Sequence, residues 1–343
     1  MEKLNLFLLY FHTTMHEQLG YKIGLFNAAT RGALVLRTDR VLTMSGGIEQ
    51  SDFFGLTPKL IRRANPNGME ELELKNLFNK MNNAIRIKWS TELLNFSKNV
   101  WTWIDRDPAL AGVEFGRQLA DQKLEEYLLR TFSILKATVG SNPDTLLDVS
   151  KHTDGTQHIS LTNLAWTADL FGDAAGEITA WLMPTTARTE VLVNSMLNVN
   201  HLFNIGSVNV HQDAENRVFI TSDDPNLRER NADSTMDFWV FGLRRGALMI
   251  QELDDFDELY DAKGGFENIL RTYQQNWSTK INVLGYKYDE NQLIDSDDEH
   301  GKFATASDAA LAAPMNWSQV QTSHKTTAGV ALRVRAGKRP NTQ

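Results

Sequence analysis

The chain has 343 residues, with 35 Lys and Arg against 43 Asp and Glu, a formal net charge of -8 and no cysteine. This length exceeds one hydrophobic core and predicts two or more subdomains. The missing cysteines exclude disulfides, thiolate zinc sites and cysteine nucleophiles, and the acidic balance excludes a polycation that grips nucleic acid by overall charge.

The first apolar segment is the run from Leu4 to Phe11. Its eight residues are too few to span a bilayer, and no small-residue cleavage site follows closely. We therefore expect a packed arm or helix in a soluble chain with no membrane partner. The sequence GALVL at residues 32–36 then predicts a strand.

Residues 45–89 differ in character from what precedes them. They are rich in glycine, proline and asparagine, carry both signs of charge and contain few apolar positions. A segment with so little core of its own predicts an extended loop or hairpin that reaches outward.

The longest predicted element is a helix over about residues 108–137. Asp107 and Pro108 supply a start signal, Gly140 supplies a stop, and apolar residues recur between them at helical spacing. A helix of this length spans about 45 Å and would join distant parts of the molecule. We call it the spine.

Beyond the spine, helical and strand patterns alternate irregularly, which predicts a mixed α+β fold rather than a run of βαβ units. The expected elements are a helix at 160–171, a strand at 178–183, a helix at 184–196, a strand at 218–221, a strand pair at 238–241 and 247–250, and a strand at 329–335. The last strand alternates apolar residues with Arg333 and Arg335, and a short basic tail follows it.

Candidate chemical sites are weak. His12 and His16 have helical spacing but lack a third ligand, so no metal site is expected. The acidic runs 252–261 and 295–299 fail the spacing of a calcium loop and are interpreted as solvated faces, with pairing between subunits as the alternative. No catalytic residue and no cofactor is predicted, because phosphate-loop, nucleophile-elbow and dinucleotide patterns are missing.

Five stretches carry a resemblance to a known family, namely residues 96–132, 164–194, 216–226, 238–252 and 316–335. Together they resemble the major capsid proteins of tailed bacteriophages, the Hong Kong 97 fold family. Residues 96–132 are similar to that family's entry into its spine helix, and residues 164–194 to its axial helix, strand and following helix. The remaining similar stretches are residues 216–226, 238–252 and 316–335.

The resemblance implies a division of the chain into an N-terminal arm (1–44), an extended loop (45–92), a peripheral domain with the spine (93–163), an axial domain (164–312) and a returning strand with a basic tail (313–343). It also implies a structural subunit, not an enzyme, that assembles with itself as hexamers and pentamers into an icosahedral shell around double-stranded DNA. Assembly would take place in the host cytoplasm and end in the virion. A separate scaffolding protein, a portal and cement proteins are the further partners implied.

Four basic residues near the C-terminus are the expected contacts with packaged DNA, namely Arg333, Arg335, Lys338 and Arg339. They would bind phosphates without reading sequence. Two alternatives remain open: an encapsulin-like shell that encloses protein cargo, and a hydrolase that uses paired carboxylates.

Overall fold

The computed structural model describes residues 2–41, 48–54, 79–195, 200–205, 208–212, 217–264, 269–289, 291, 306–321 and 323–337. Its α-helices are α1 (Glu2–Ala29), α2 (Lys98–Arg106), α3 (Pro108–Thr138), α4 (Leu161–Asp169), α5 (Thr185–Ser195) and α6 (Asp308–Leu311). The first strands are β1 (Leu34–Val41), β2 (Ile48–Phe54), β3 (Asn79–Ser90), β4 (Leu94–Asn95), β5 (Leu146–Asp148), β6 (Ile178–Pro184), β7 (Asn200–Ile205) and β8 (Val208–Gln212). The later strands are β9 (Val218–Ser222), β10 (Arg228–Arg230), β11 (Met236–Arg244), β12 (Leu248–Leu253), β13 (Asp257–Lys263), β14 (Leu270–Val283), β15 (Tyr286–Tyr288), β16 (Trp317–Gln319) and β17 (Gly329–Arg335).

Two mixed sheets organise the described residues. The first sheet has the order β1-β12-β14-β3-β2, with β13 and β4 also paired to β14. The second has the order β5-β17-β11-β6-β9-β8-β7, with β10 paired to β11. The predicted α+β class is confirmed.

The spine is α3, and its 31 residues match the predicted helix closely. Asp107 caps the first turn by accepting a hydrogen bond from the backbone N–H of Leu110 at 3.1 Å, and Pro108 occupies a position where its missing N–H costs nothing. The inward face buries Leu124, Leu128 and Leu135. The helix thereby contributes to the core that it shares with the first sheet.

The N-terminal segment is one 28-residue helix that packs along the spine. Its buried side chains recur every three or four residues and form one stripe: Phe7, Phe11, Met15, Leu19, Ile23 and Phe26. The expectation of a packed arm or helix is confirmed. The stripe belongs to the core of its own chain, so its burial does not need a neighbouring subunit.

Two glycines of the spine allow α1 to approach closely. A Cβ at Gly112 would lie 2.6 Å from the carbonyl oxygen of Phe7, and one at Gly116 would lie 2.5 Å from that of Phe11. Because both partners are backbone atoms, neither clash is relieved by a rotamer change. Residue numbers rise together along both helices at these contacts, so α1 runs parallel to the spine.

The two ends of the predicted outward loop pair with each other as a β-hairpin. Strands β2 and β3 pair antiparallel from Ile48↔Ile85 to Phe54↔Asn79. The other end of β3 pairs with β14, where Trp89 lies opposite Trp277. Residues 55–78, the centre of the predicted loop, lie outside the described residues.

The strand pair expected at residues 238–250 is wrong. Both strands form, but β11 pairs with β6, β10 and β17 in the second sheet, whereas β12 pairs with β1 and β14 in the first. The turn between them places Gly246 at φ +71° and hydrogen-bonds to the segment after α1, from the N–H of Ala247 to the carbonyl of Ala33 at 3.0 Å. This connection joins the sheets instead of closing a hairpin.

Candidate functional site: the returning strand and the spine groove

The returning strand β17 runs antiparallel to β11 and brings two predicted DNA-facing residues into the second sheet. Arg333 lies opposite Trp239, and Arg335 lies opposite Asp237. The alternation expected for this strand is observed, since Leu332 and Val334 are buried while both arginines are only half-buried. Lys338 and Arg339 lie outside the described residues.

Arg333 is surrounded by carboxylates. Its guanidinium lies 2.9 Å from Oδ2 of Asp237, 3.3 Å from Oε1 of Glu229 and 4.0 Å from Oδ2 of Asp148. The Asp237 side chain is only 2% exposed, so Arg333 neutralises a charge that has little access to water. The guanidinium also lies 5.4 Å from the centre of the Trp239 ring.

The same cluster includes the C-terminal end of the spine. Lys136 lies 3.1 Å from Oε2 of Glu229, and the indole N–H of Trp239 donates to the same oxygen at 2.9 Å. Burial by itself raises the pKa of Glu229, but the hydrogen bonds from Trp239 and Lys136 and the charge of Arg333 together lower that pKa below its ordinary value. Glu229 is therefore a stable anion that links spine and sheet.

The carboxylates of this cluster outnumber its cations. Lys136, Arg333 and Arg335 face the carboxylates of Asp148, Glu229, Asp233 and Asp237. The sequence predicted the cations but not their partners, which come from two distant segments of the chain, residue 148 and residues 229–237. DNA contact by Arg333 and Arg335 stays a prediction, and the charge that they contribute to it is largely offset.

A second polar cluster lies between the spine and the first sheet. The indole N–H of Trp277 donates to the hydroxyl of Tyr127 at 2.8 Å, and that hydroxyl donates to Oε1 of Glu252 at 2.7 Å. Burial raises the pKa of Tyr127 well above its ordinary value, and the charge of Glu252 raises it further. The hydroxyl thus stays protonated and keeps its role as donor.

The acidic run at residues 252–261 is therefore not simply a solvated face, and that interpretation is wrong at two positions. Glu252 is 6% exposed. Asp255 accepts hydrogen bonds from the backbone N–H and the hydroxyl of Ser278 and forms an ion pair with Arg86 of β3. The acidic run at 295–299 lies outside the described residues.

His12 and His16 do not face each other across a metal site. Nε2 of His12 lies 2.7 Å from Oε2 of Glu258, and both imidazole rings lie edge-on to Phe256. Within the described residues, no three His, Asp or Glu side chains come together in a way that would hold a metal ion.

An open groove of about 700 Å³ lies between the spine, the C-terminal end of β3 and Trp277 in the middle of β14. Its buried and half-buried lining is mainly apolar: Trp89, Leu94, Phe115, Leu119 and Trp277, with the stem of Lys123. Its exposed lining includes the acidic or amide side chains Glu92, Gln118, Gln122 and Glu126, and Glu125 is half-buried. We call this site the spine groove.

The cations already in the spine groove lie against its aromatic rings. The ammonium of Lys123 lies 3.8 Å from the centre of the Trp277 ring, and the guanidinium of Arg130 lies 5.9 Å from that of Trp89. Arg130 also pairs with Glu126 at 3.5 Å and with Asp308 at 3.0 Å. Glu92 and Glu125 have no ion pair within the part of the chain that the structure describes.

Among the described helices, none is both long enough and apolar enough to cross a membrane. The comparison with curated proteins found no match. Solved capsid structures do share the fold. The chain superposes on the capsid of Ralstonia phage GP4 with a TM-score of 0.51, at 10% identity over 90% of this chain and 89% of that one.

A second solved structure, the capsid asymmetric unit of Cyanophage Pam1, gives a TM-score of 0.50 at 10% identity over 88% of both chains. The holo-SrpI encapsulin complex from Synechococcus elongatus PCC 7942 gives 0.46 at 10% identity over 90% of this chain and 89% of that one. At identities this low the two phage capsids show the fold alone, and they confirm the expected capsid fold.

The family comparison goes further than the fold. The sequence profile described as Gp13-like, Major capsid protein 13-like, matches residues 3–331. That range begins in α1, includes the whole spine and every strand from β1 to β16, and ends within β17. The chain therefore belongs to the Gp13-like family of major capsid proteins.

Proposed function

We propose that this major capsid protein assembles with itself, as hexamers and pentamers, into the icosahedral head that encloses the double-stranded DNA of a tailed phage. The observation that carries the proposal is the family match over residues 3–331, because it covers nearly the whole chain rather than one motif. The proposed role is structural rather than catalytic.

The surface of the subunit supports a role in assembly. Large apolar side chains remain exposed on α1, on α2 and on the first turns of the spine: Leu6, Leu9, Tyr10, Trp103, Leu110 and Val113. Tyr10 lies directly beside Gly112 of the spine, so residues of both helices contribute to one apolar surface. Such surfaces are stabilised when a neighbouring subunit removes them from water.

The paired strands β2 and β3 offer a second means of assembly. They lie at the edge of the first sheet, with β2 its terminal strand, and residues 55–78 continue from their far end. An edge strand presents unpaired backbone groups that another chain can satisfy. We propose that this hairpin and residues 55–78 lie over a neighbouring subunit in the shell.

Expression of the full chain, alone and with a separate scaffolding protein, tests the proposal by sedimentation velocity and negative-stain microscopy. Closed shells or ring-shaped capsomers are expected. A small monodisperse particle under both conditions would contradict self-assembly. Particles that enclose protein rather than DNA in the infected host would instead favour an encapsulin-like role.

Contact with packaged DNA is proposed for the basic C-terminal residues, and the carboxylates around Arg333 decide how to test it. Replacing Arg333 would leave the buried carboxylate of Asp237 without its nearest cation and disturb the fold, so the informative variant is Lys338→Glu with Arg339→Glu. Reduced DNA content per particle at normal shell yield is expected. Lys151→Glu with Lys287→Glu changes two exposed lysines elsewhere and serves as the matched control.

The further partners proposed are a scaffolding protein, a portal and cement proteins, with assembly in the host cytoplasm. Their support is the resemblance of the chain to tailed-phage capsid proteins. Purification of particles from infected cells, followed by mass spectrometry, identifies which of these chains accompany the subunit. Particles that contain this chain alone at every stage would contradict all three partners.

A further inference from the structure

The two histidines of α1 lie against the acidic segment that follows β12. Nε2 of His12 lies 2.7 Å from Oε2 of Glu258, which is within ion-pair distance. The rings of His12 and His16 lie 5.8 Å and 6.1 Å from the ring of Phe256, centre to centre. The fold thus brings together two features that are far apart in the sequence, the histidine pair and the acidic run 252–261.

The strand that carries Glu258 is weakly held. None of the seven residues of β13 is buried. The strand pairs with β14 along its whole length and, among the described strands, with no other. Beyond that ladder, Tyr260 stacks on Trp101 of α2 at 6.3 Å between ring centres. An edge strand with so little burial has a low local stability, so one ion pair to α1 is a substantial part of it.

We propose that His12 and Glu258 form a pH-sensitive attachment that holds β13 against α1 while the imidazole is protonated and loosens it as the pH rises. A free imidazole titrates near about pH 6.5, whereas a glutamate is ionised well below that pH. Because the carboxylate favours the charged imidazole, the attached strand binds the proton more tightly than a detached one. The attachment is therefore strongest between about pH 5 and 6.5 and is lost as the pH rises toward about 8.

Tyr273 of β14 holds the carboxylate in place for this contact. Its hydroxyl donates a hydrogen bond to the same Oε2 of Glu258 at 3.1 Å. Burial raises the pKa of Tyr273 well above its ordinary value, and the charge of Glu258 raises it further. The hydroxyl thus keeps its proton, so His12 is the member of this trio that changes charge between about pH 5 and 8.

Two further cations lie near the contact. The ammonium of Lys123 lies 5.8 Å from the centre of the Phe256 ring, but it lies closer to the Trp277 ring, at 3.8 Å. His16 lies one helical turn beyond His12 on the same face of α1. Charges on Lys123 and His16 oppose a charge on His12, and the adjacent carboxylate has to outweigh them.

The remaining carboxylates of the acidic run act in the opposite direction. Asp254 and Asp257 are exposed on either side of the histidine-contacting turn and add negative potential there. Asp255 forms its ion pair with a side chain of β3, and Glu252 accepts its hydrogen bond from the spine. These two are engaged elsewhere, so Glu258 is the carboxylate that meets His12.

Hydrogen exchange of the backbone amides of residues 257–263, read by mass spectrometry on the full-length unassembled subunit, tests the proposal. After correction for the intrinsic exchange rate, the opening constant of β13 is expected to rise about fivefold from about pH 6 to about pH 8. His12→Gln and Glu258→Gln are each expected to give the high opening constant at both pH values. The double variant is expected to open no more than either single variant, because both changes remove the same contact.

His152→Gln is the matched control, since it removes an exposed histidine far from α1 in the sequence and is expected to keep the full pH dependence. An opening constant of the unchanged subunit that does not vary with pH would overturn the proposal. So would a pH dependence that persists in both His12→Gln and Glu258→Gln, or one that disappears only in His16→Gln. If His12→Gln does not fold by circular dichroism, Glu258→Gln decides alone, because that residue is exposed.

Discussion

Tyr127 links the spine to the first sheet through a single hydroxyl group, which accepts from Trp277 and donates to Glu252. We predict that Tyr127→Phe lowers the free energy of unfolding of the unassembled subunit by about 2 kcal/mol, because both buried partners lose a hydrogen bond. Urea unfolding measures this difference. Tyr10→Phe, on an exposed side chain, is the control and is expected to change stability by less than about 0.5 kcal/mol.

Asp255 makes the stability of the subunit depend on pH in the acidic range. Burial raises the pKa of Asp255, but the hydrogen bonds from Ser278 and Arg86 lower it by more than burial raises it. The folded pKa therefore lies below the ordinary value of 3.8. A depressed pKa contributes stability that is fully present above the unfolded pKa and is lost as pH falls through the folded one.

We therefore predict that Asp255→Asn is less stable than the unchanged subunit at pH 7, and that this difference shrinks as the pH falls below 3.8. Urea midpoints at neutral and acidic pH measure both differences. An equal difference at both ends of the pH range would show that the carboxylate charge does not stabilise the fold. Arg86 and Ser278 would then act on Asp255 without altering its ionisation.

At the scale of elements, the approach of α1 to the spine depends on two glycines. We predict that Gly116→Val lowers the free energy of unfolding by about 3 kcal/mol, because its Cβ would lie 2.5 Å from the Phe11 carbonyl oxygen and force the helices apart. Thermal unfolding by circular dichroism measures the loss. Gly20→Ala provides the contrast.

Gly20 lies within α1, and a Cβ there would have no neighbouring heavy atom within 4 Å. Alanine at this position is therefore expected to stabilise the helix by about 0.5–1 kcal/mol. If Gly116→Val and Gly20→Ala behaved alike, close helix packing would not explain the spine glycines.

Elements with strong local signals could be predicted from the sequence. Asp107 and Pro108 define the start of the spine, and Ser160, whose hydroxyl accepts from the N–H of Asn163 at 3.2 Å, defines the start of α4. In β17 the alternation of Leu332 and Val334 with arginines gives both the strand and its buried face. These features depend on residues within a few positions of one another.

Features that depend on distant partners could not be predicted. Nothing near Phe238 or Ala247 reveals that β11 and β12 separate into different sheets, because that outcome depends on pairing with β17 and β14. Likewise, the sequence shows Glu252 only as one acidic residue in an acidic run, because its hydrogen bond with Tyr127 joins segments that are distant in the chain. The spine groove combines residues from three segments, so no single stretch of sequence predicts it.

At the scale of the whole molecule, we expect folding and assembly to depend on different parts of the chain. We predict that replacing residues 55–78 by an Asn-Gly turn leaves the subunit folded, because Phe54 and Asn79 already pair and a two-residue turn closes such a hairpin. Shell formation is expected to be lost. Circular dichroism checks the fold, and negative-stain microscopy checks the shells.

A replacement of the same 24 positions by a Gly-Ser linker of equal length is the control for that deletion. If side chains such as Leu60 and Ile61 make the contacts, this variant is also expected to fail in assembly. Normal shells from either variant would mean that residues 55–78 are dispensable for the wall.

The parallel pairing of β1 with β12, together with the packing of α1 on the spine, has a consequence for a broken chain. A protease that cuts once between residues 55 and 78 yields two polypeptides, and the shorter one keeps its helix on the spine and its strands in the first sheet. The nicked subunit would behave as a tight heterodimer whose two pieces separate only in denaturant. We therefore expect the subunit to keep its fold without covalent continuity at that point.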